Sequence, residues 1–322
     1  MKPLVYIPEP IAASGLDLLK RECRCLAPWD SGSADEPEGD RDADAVLVRL
    51  FQANAEFIRS APRLKVIAKH GVGVDNIDLA AARERGITVV NTPTANANAV
   101  AEHALALIMA LARQIKPADT AVRDGRFHER DQFQGVELRG KRLGVIGLGR
   151  IGSRLAEMAS SGLAMKVLAY DPFVAEENYA GPAALEQSLE RVMRKADFLS
   201  LHVALNTETR HMINAKTLGW VTPQCRLINT SRGAVVQETA LVEALAEGRL
   251  AGAALDVFED EPLPPGHPLL AAPNTILTPH ISSSTREAMD RMSLDAARGV
   301  LDVLNGREPA FPVSTEGLHE TL

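Results

Sequence analysis

The sequence predicts an α/β protein built on doubly wound parallel sheets. Three observations point there. Short apolar runs alternate with amphipathic helical stretches along the chain, the pattern of repeated strand–helix units. A glycine turn, Val145-Ile-Gly-Leu-Gly-Arg-Ile-Gly152, separates one apolar run from the next helical stretch. Three polar residues, Arg232, Glu261 and His280, stand beyond later apolar runs, where the ends of parallel strands line a ligand crevice.

Strands are expected at Leu4 to Ile7, Ala45 to Val48, Val66 to Ala68 and Thr88 to Val90, with helices at Ile11 to Arg21 and Ile77 to Arg85. Ser31 to Asp44, acidic and rich in Gly, Ser and Asp, reads as an exposed loop. Ala97 to Arg113 reads as one alanine-rich helix with little polar surface. A helix apolar most of the way round is buried, in a core or at a subunit interface. Pro117 should kink or end it, and Gly125 closes the region. A second strand–helix series follows, with strands at Leu143 to Ile146, Lys166 to Ala169, Phe198 to Leu201, Arg226 to Ile228, Ala251 to Leu255 and Thr275 to Leu277. Ser284-Thr-Arg-Glu287 fits a capping box opening a last helix that runs to about Leu304, with Asn305-Gly306 ending it.

At 322 residues the chain can form two domains with cores of their own. Its net charge of −7 argues against non-specific nucleic-acid binding, which needs clustered cations. No run approaches the roughly 18 apolar residues of a membrane span. The start, Met1-Lys-Pro-Leu-Val, lacks a signal-peptide pattern, so the expected address is the cytoplasm. The three cysteines suit a reducing compartment. Cys23-Arg-Cys25 has no second half of a metal site and reads as a strand edge, and no metal is expected.

The glycine turn offers a seat for a dinucleotide. Gly147 permits the tight turn, Gly149 lets backbone approach a pyrophosphate, and Gly152 lets the helix pack on the strand. The helix N-terminus then presents N–H groups to the phosphates. Asp171 ends the next strand, 19 residues past Gly152, where an acidic residue bonds the ribose hydroxyls of NAD and repels the extra phosphate of NADP. NAD is therefore the expected cofactor.

Beside such a cofactor, Arg232, Glu261 and His280 suit a 2-hydroxy or 2-keto acid. Imidazole titrates near neutrality and can move a proton. Glu261 can accept a hydrogen bond from the other ring nitrogen and fix the ring. The guanidinium fork of Arg232 matches a carboxylate. Singly, each has a plain alternative: a structural ion pair, a solvated loop charge, a satisfied core histidine. His70, His103, His202 and His211 read as structural or peripheral.

With these residues in place, the chain resembles the D-isomer-specific 2-hydroxyacid dehydrogenases along nearly its whole length, most of all the phosphoglycerate dehydrogenases among them. The matching stretches are Lys69-His-Gly-Val-Gly-Val-Asp-Asn-Ile-Asp78, Asn91-Thr-Pro, Val100-Ala-Glu-His103, Leu148-Gly-Arg-Ile-Gly152, Asn229-Thr-Ser-Arg-Gly233, Ala254-Leu-Asp-Val-Phe258 and Thr278-Pro-His280. The resemblance implies a flavodoxin-like substrate domain, residues 1–98 and 285–322, with a Rossmann NAD-binding domain, residues 99–284, inserted into it. It implies that Arg232 binds substrate, that His280 is the acid/base and that Glu261 is its partner. Asp256 would contact the nicotinamide carboxamide, Arg150 and Ile151 would flank the pyrophosphate, and Thr230 would lie near the nicotinamide ribose. The Val72-Gly73 backbone would hold the substrate carboxylate, and a homodimer would form through the helix after Asn98.

Two positions depart from many relatives: Ser282 and Ser283 follow the Pro-His-Ile where glycine is common, and Ala204 stands where proline is common. Arg49 and Lys69 resemble positions facing a substrate phosphate, and Arg130, in the loop after Gly125, is a weaker third candidate; 3-phosphoglycerate is therefore the first expectation. Glyoxylate or hydroxypyruvate is the alternative within the class. A non-catalytic NAD-sensing binding protein of the same fold is the alternative outside it. The chain stops about fifteen residues past Arg307, so no regulatory domain is expected there.

Overall fold

A computed structural model describes residues 2–30 and 39–314. The chain divides into two compact units. One runs to Asn96 and resumes at Ser284; the other is Ala97–Ser283.

The first unit carries β1 (Leu4–Tyr6), α1 (Ala13–Glu22), β2 (Arg24–Leu26), β3 (Ala45–Val48), α2 (Ala55–Ser60), β4 (Val66–Lys69), α3 (Leu79–Glu84) and β5 (Thr88–Val90). Its strands are all parallel, in the order β2-β1-β3-β4-β5, the flavodoxin-type order. Alternate residues of β3 enter opposite cores: Ala45 and Leu47 one, Val46 and Val48 the other. That two-sided burial is why parallel strands read as continuous apolar runs. Asn54 and Asp78 cap α2 and α3 by accepting from Phe57 N–H and Ala81 N–H. Of the expected 31–44 loop, residues 31–38 lie outside the described region; Asp40–Asp42 form a single 3₁₀ turn. Cys25 lies on the edge strand β2, and burial pushes the neighbouring Cys23 thiol up to about 11.

The second unit carries α4 (Ala97–Ala112), α5 (Ile115–Arg123), β6 (Arg142–Ile146), α6 (Arg150–Leu163), β7 (Lys166–Tyr170), β8 (Ala184–Leu185), α7 (Leu189–Lys195), β9 (Phe198–Leu201), α8 (Ala215–Leu218), β10 (Arg226–Asn229), α9 (Glu238–Ala246), β11 (Gly252–Leu255) and β12 (Thr275–Leu277). The parallel sheet runs β12-β11-β10-β9-β6-β7-β8. The order reverses between β6 and β9, so the glycine turn after β6 sits at the topological switch point. Small residues let α4 lie close to α6: Ala101, Ala104 and Ile108 share one core with Leu155, Ala156 and Ala159.

Two helix boundaries differ from expectation. The α4–α5 break falls at Gln114, whose φ of 52° is left-handed, and not at Pro117. Pro117 occupies the first turn of α5, where its missing N–H had no helical partner to lose; the first bond of that turn runs from Ala118 N–H to Gln114 O. The last helix, α10 (Arg286–Leu304), is capped by Thr285, which accepts from Ala288 N–H. The capping residue is thus one place later than Ser284. No described helix is long and apolar enough to cross a membrane.

Candidate active site

Gly147 follows β6 with φ +91°, and a Cβ there would lie 2.7 Å from His202 O. A Cβ on Gly152 would lie 1.9 Å from Gly147 O, so these two glycines are demanded by the chain itself. Gly149 is different: its φ is ordinary, and a Cβ there would meet nothing within 4 Å. The space beside it is a cradle that a side chain would fill, at the N-terminus of α6, with Arg150 and Ile151 opening the helix. Asp171, just past β7, accepts from Leu148 N–H at 2.8 Å and Phe173 N–H at 2.9 Å, one bond to each oxygen. Its carboxylate is thereby fixed beside the glycine turn, with a second lone pair on each oxygen for a diol. Thr230 Oγ1, past the end of β10, is buried without a hydrogen-bond partner among the described residues. An open backbone cradle, a fixed carboxylate and an unpartnered buried hydroxyl fit a dinucleotide.

The loop after β10 is built on Asn229. Its Oδ1 accepts from Ser231 N–H and Ser231 Oγ, and its Nδ2 donates to Arg232 O, a side-chain turn of the kind asparagine favours. Gly233 then lies so close to the loop after β11 that a Cβ would meet Phe258 C at 1.8 Å. That backbone approach draws the Arg232 and Glu261 loops together. Glu261 Oε1 accepts from Phe258 N–H at 3.0 Å, and Oε2 lies 2.7 Å from His280 Nδ1. Burial alone would raise the Glu261 carboxyl. The His280 hydrogen bond and charge, the Phe258 N–H and the Arg232 charge outweigh it and hold the group below the ordinary carboxylate range. An ionised Glu261 only accepts, so Nδ1 of His280 carries the proton and Nε2 is the nitrogen that exchanges one. His280 is about one-third exposed. Its φ of 52° is left-handed, a conformation that costs a non-glycine residue about 1–2 kcal/mol and persists only where surroundings enforce it.

Asp256, which the resemblance sets against the nicotinamide carboxamide, also holds a neighbouring loop. Its carboxylate is 0% exposed, and both oxygens accept from the 278–282 loop. His202 Nε2 pairs with Ser200 Oγ at 2.8 Å, and burial pushes the ring down to about 4. Asn229, Thr278 and the Phe258 N–H were not singled out from sequence. Only Asn229, a turn-forming residue at a strand end, gave a readable signal.

Arg49, Lys69, Val72 and Gly73 belong to the first unit. Lys69 Nζ bonds Arg49 O and Asn76 Oδ1, both at 2.5 Å, and so braces the loop after β3. Arg49 Nη1 donates to Pro10 O. Glu9, unremarked in the sequence, follows β1 and accepts from the N–H groups of Arg49, Leu50 and Phe51. The β1–β3 switch point of this sheet therefore already holds a carboxylate. Asn91 Nδ2 donates to Val72 O, and Thr92 Oγ1 accepts from Gly71 N–H, pinning the glycine loop.

The profile of the D-isomer specific 2-hydroxyacid dehydrogenase NAD-binding domain matches residues 105–282. The chain belongs to the D-isomer-specific 2-hydroxyacid dehydrogenases. It is 41% identical to a glyoxylate reductase of Thermofilum pendens, covering 98% of this chain and 96% of that one. It is equally 41% identical to a D-3-phosphoglycerate dehydrogenase of Synechocystis, over 98% of this chain but 56% of the relative's length. Among solved structures, the NADPH-dependent glyoxylate/hydroxypyruvate reductase of Sinorhizobium meliloti, solved with NADP and malonate, superposes with a TM-score of 0.86 at 29% identity, covering 98% of both chains. In this chain a parallel-sheet α/β architecture carries the glycine turn.

Proposed function

We propose that this protein is an NAD-dependent D-2-hydroxyacid dehydrogenase acting on small unphosphorylated 2-hydroxy and 2-keto acids of the glyoxylate and hydroxypyruvate kind. The observation that carries the reaction class is the 2.7 Å pair between His280 Nδ1 and Glu261 Oε2, with Arg232 contributing its charge to the same carboxylate. With its pyrophosphate seated on the glycine turn, NAD(H) would supply or accept the hydride through its nicotinamide ring. His280 Nε2 gives a proton to the oxygen developing negative charge at C2 in reduction and takes it back in oxidation. Glu261 stabilises the imidazolium that this cycle requires. Arg232 holds the substrate carboxylate and polarises the carbonyl. The Val72-Gly73 backbone and Arg49 are assigned to the rest of the substrate. Asp171 supports NAD over NADP by meeting a 2′-phosphate with like charge.

Two contacts support an unphosphorylated substrate. Lys69 is engaged with Arg49 O and Asn76, and the N–H groups of Arg49 to Phe51 already hold the Glu9 carboxylate. A phosphate dianion would have to compete with that internal anion. The second reading, 3-phosphoglycerate, is favoured by two cations at adjacent strand ends. Met109, Ile115, Val122 and Phe127, all exposed on the α4–α5 region and the turn after it, support a homodimer through that face. The free cysteines fit a cytoplasmic address.

The test is a panel of glyoxylate and hydroxypyruvate with NADH, and 3-phosphoglycerate with NAD, followed by nicotinamide absorbance. Turnover of the first two is expected. A clear preference for 3-phosphoglycerate would move the assignment to the second reading. No turnover with any of them, despite NADH binding, would leave a non-catalytic NAD-binding protein.

A further inference from the structure

The acid/base histidine sits in a left-handed conformation that residues other than glycine seldom adopt, and one buried carboxylate holds it there. Asp256 Oδ1 accepts from the Thr278 hydroxyl at 2.6 Å and from Ile281 N–H at 2.9 Å. Its Oδ2 accepts from Ser282 N–H at 2.8 Å, and its main-chain O accepts from His280 N–H at 2.8 Å. The loop on both sides of His280 thus hangs from a single side chain that is 0% exposed. A buried carboxylate is stable only when paired or fully hydrogen-bonded. Among the described residues, the imidazole of His103 on α4 also approaches it, with Nε2 3.6 Å from Asp256 Oδ1 and 3.3 Å from Thr278 Oγ1.

The direction of this chain of bonds can be worked out. Asp256 Oδ1 takes the Thr278 hydroxyl proton, so Thr278 Oγ1 turns a lone pair toward His103. The ring nitrogen facing that lone pair must be the donor. We propose that His103 is a positioning residue of the active site: its Nε2–H fixes the Thr278 hydroxyl on Asp256 and so holds the left-handed turn that presents His280. His103 acts through Thr278 and Asp256. The inference rests on the role proposed for His280.

Two measurements test it. In the unliganded protein, ¹⁵N NMR of the imidazoles should show neutral His103 as the Nε2–H tautomer; an Nδ1–H tautomer overturns the assignment without any assay. In steady-state kinetics, His103→Leu should lower kcat roughly 10- to 100-fold, the scale of a small misplacement of a catalytic group. KM and the dissociation constant for NADH should change little. His103→Gln, whose amide N–H can stand at the Nε2 position, should recover most of that loss. Equal losses in Leu and Gln variants overturn the proposal, as does an unchanged kcat in His103→Leu. If His103→Leu does not fold, the Gln variant and the tautomer still decide. An inactive His280→Ala enzyme beside a fully active His103→Leu enzyme sinks this inference alone. A fully active His280→Ala enzyme sinks the reading of the site itself.

Discussion

Glu261 in the second unit and His70 in the first are both titratable groups at loops that follow strands, the first with a third of its side chain in water and the second buried, and they end in opposite states. Burial of Glu261 is opposed by a ring 2.7 Å away, a backbone N–H and an arginine charge, and the group stays ionised. Burial of His70 is reinforced by the Arg49 and Lys69 charges; the two backbone hydrogen bonds that oppose it do not prevail, and the ring falls to about 4. Partners of opposite sign keep an ion that can do chemistry; partners of like sign make a neutral brace. His70 is such a brace, with Nε2 3.0 Å from Ser293 Oγ of α10, whose hydroxyl also accepts from Ala12 N–H. The loops of the second unit thus keep charge available, while those of the first bind much of theirs into the scaffold.

The largest effect expected from this contrast comes from removing the usable pair. His280→Ala should lower kcat by roughly 10²- to 10⁴-fold, the range for loss of a general acid/base. NADH affinity, measured by fluorescence, should be nearly unchanged, because the glycine turn and Asp171 lie on other strands. Wild-type turnover in that variant would place the proton transfer elsewhere.

Removal of the neutral brace should appear in stability against pH. The unfolded histidine titrates near 6.5 and the folded one at about 4. Between these values the unfolded chain holds a proton that the native chain does not, so the contribution of His70 is whole above pH 6.5 and is lost as pH falls toward 4. The gap is worth about 3 kcal/mol. His70→Gln should be less stable than wild type at pH 7, yet its urea midpoint should fall less between pH 7 and 4.5. His202, also at about 4, titrates in both proteins and cancels from the comparison. Parallel midpoint curves would mean that His70 is solvated and the contrast with Glu261 is false.

What could be read from sequence follows the range of the forces involved. The glycine turn was legible because Gly147 and Gly152 answer steric demands within one strand–turn–helix unit. Arg232, Glu261 and His280 were legible as strand-end residues, and the structure brings them together through the close approach at Gly233. Edge strand β8, of two residues, is too short to show a period, and β2 was legible only as the strand edge at Cys23-Arg-Cys25. The α4–α5 break rests on a left-handed glutamine, which no propensity signals. Thr285 and Ser284 are both good capping residues, so a one-place error was built into the motif. The partners of Asp256 come from α4 and from the loop after β12, and Glu9 reaches residues forty positions away. Such pairings exist only once the sheets are assembled.

The smallest effect bears on the cofactor. Asp171 differs from both members of the opening comparison: its carboxylate accepts two backbone N–H bonds, from Leu148 and Phe173. Two hydrogen bonds fix where the charge sits but leave it unneutralised, so a 2′-phosphate placed there meets a full negative charge. Asp171→Ala should remove both that repulsion and the acceptors for the ribose diol. The kcat/KM with NADH should fall by about tenfold, as for the loss of one charged hydrogen bond of about 1.4 kcal/mol, while that with NADPH should hold or rise. The Leu148 N–H loses its acceptor as well, so Asp171→Asn, which restores one, separates the two causes. If Asn recovers NADH use while leaving NADPH improved, the charge sets the choice between cofactors and the hydrogen bond sets the shape of the turn. If the NADH-to-NADPH ratio is unchanged in both variants, Asp171 serves only the glycine turn.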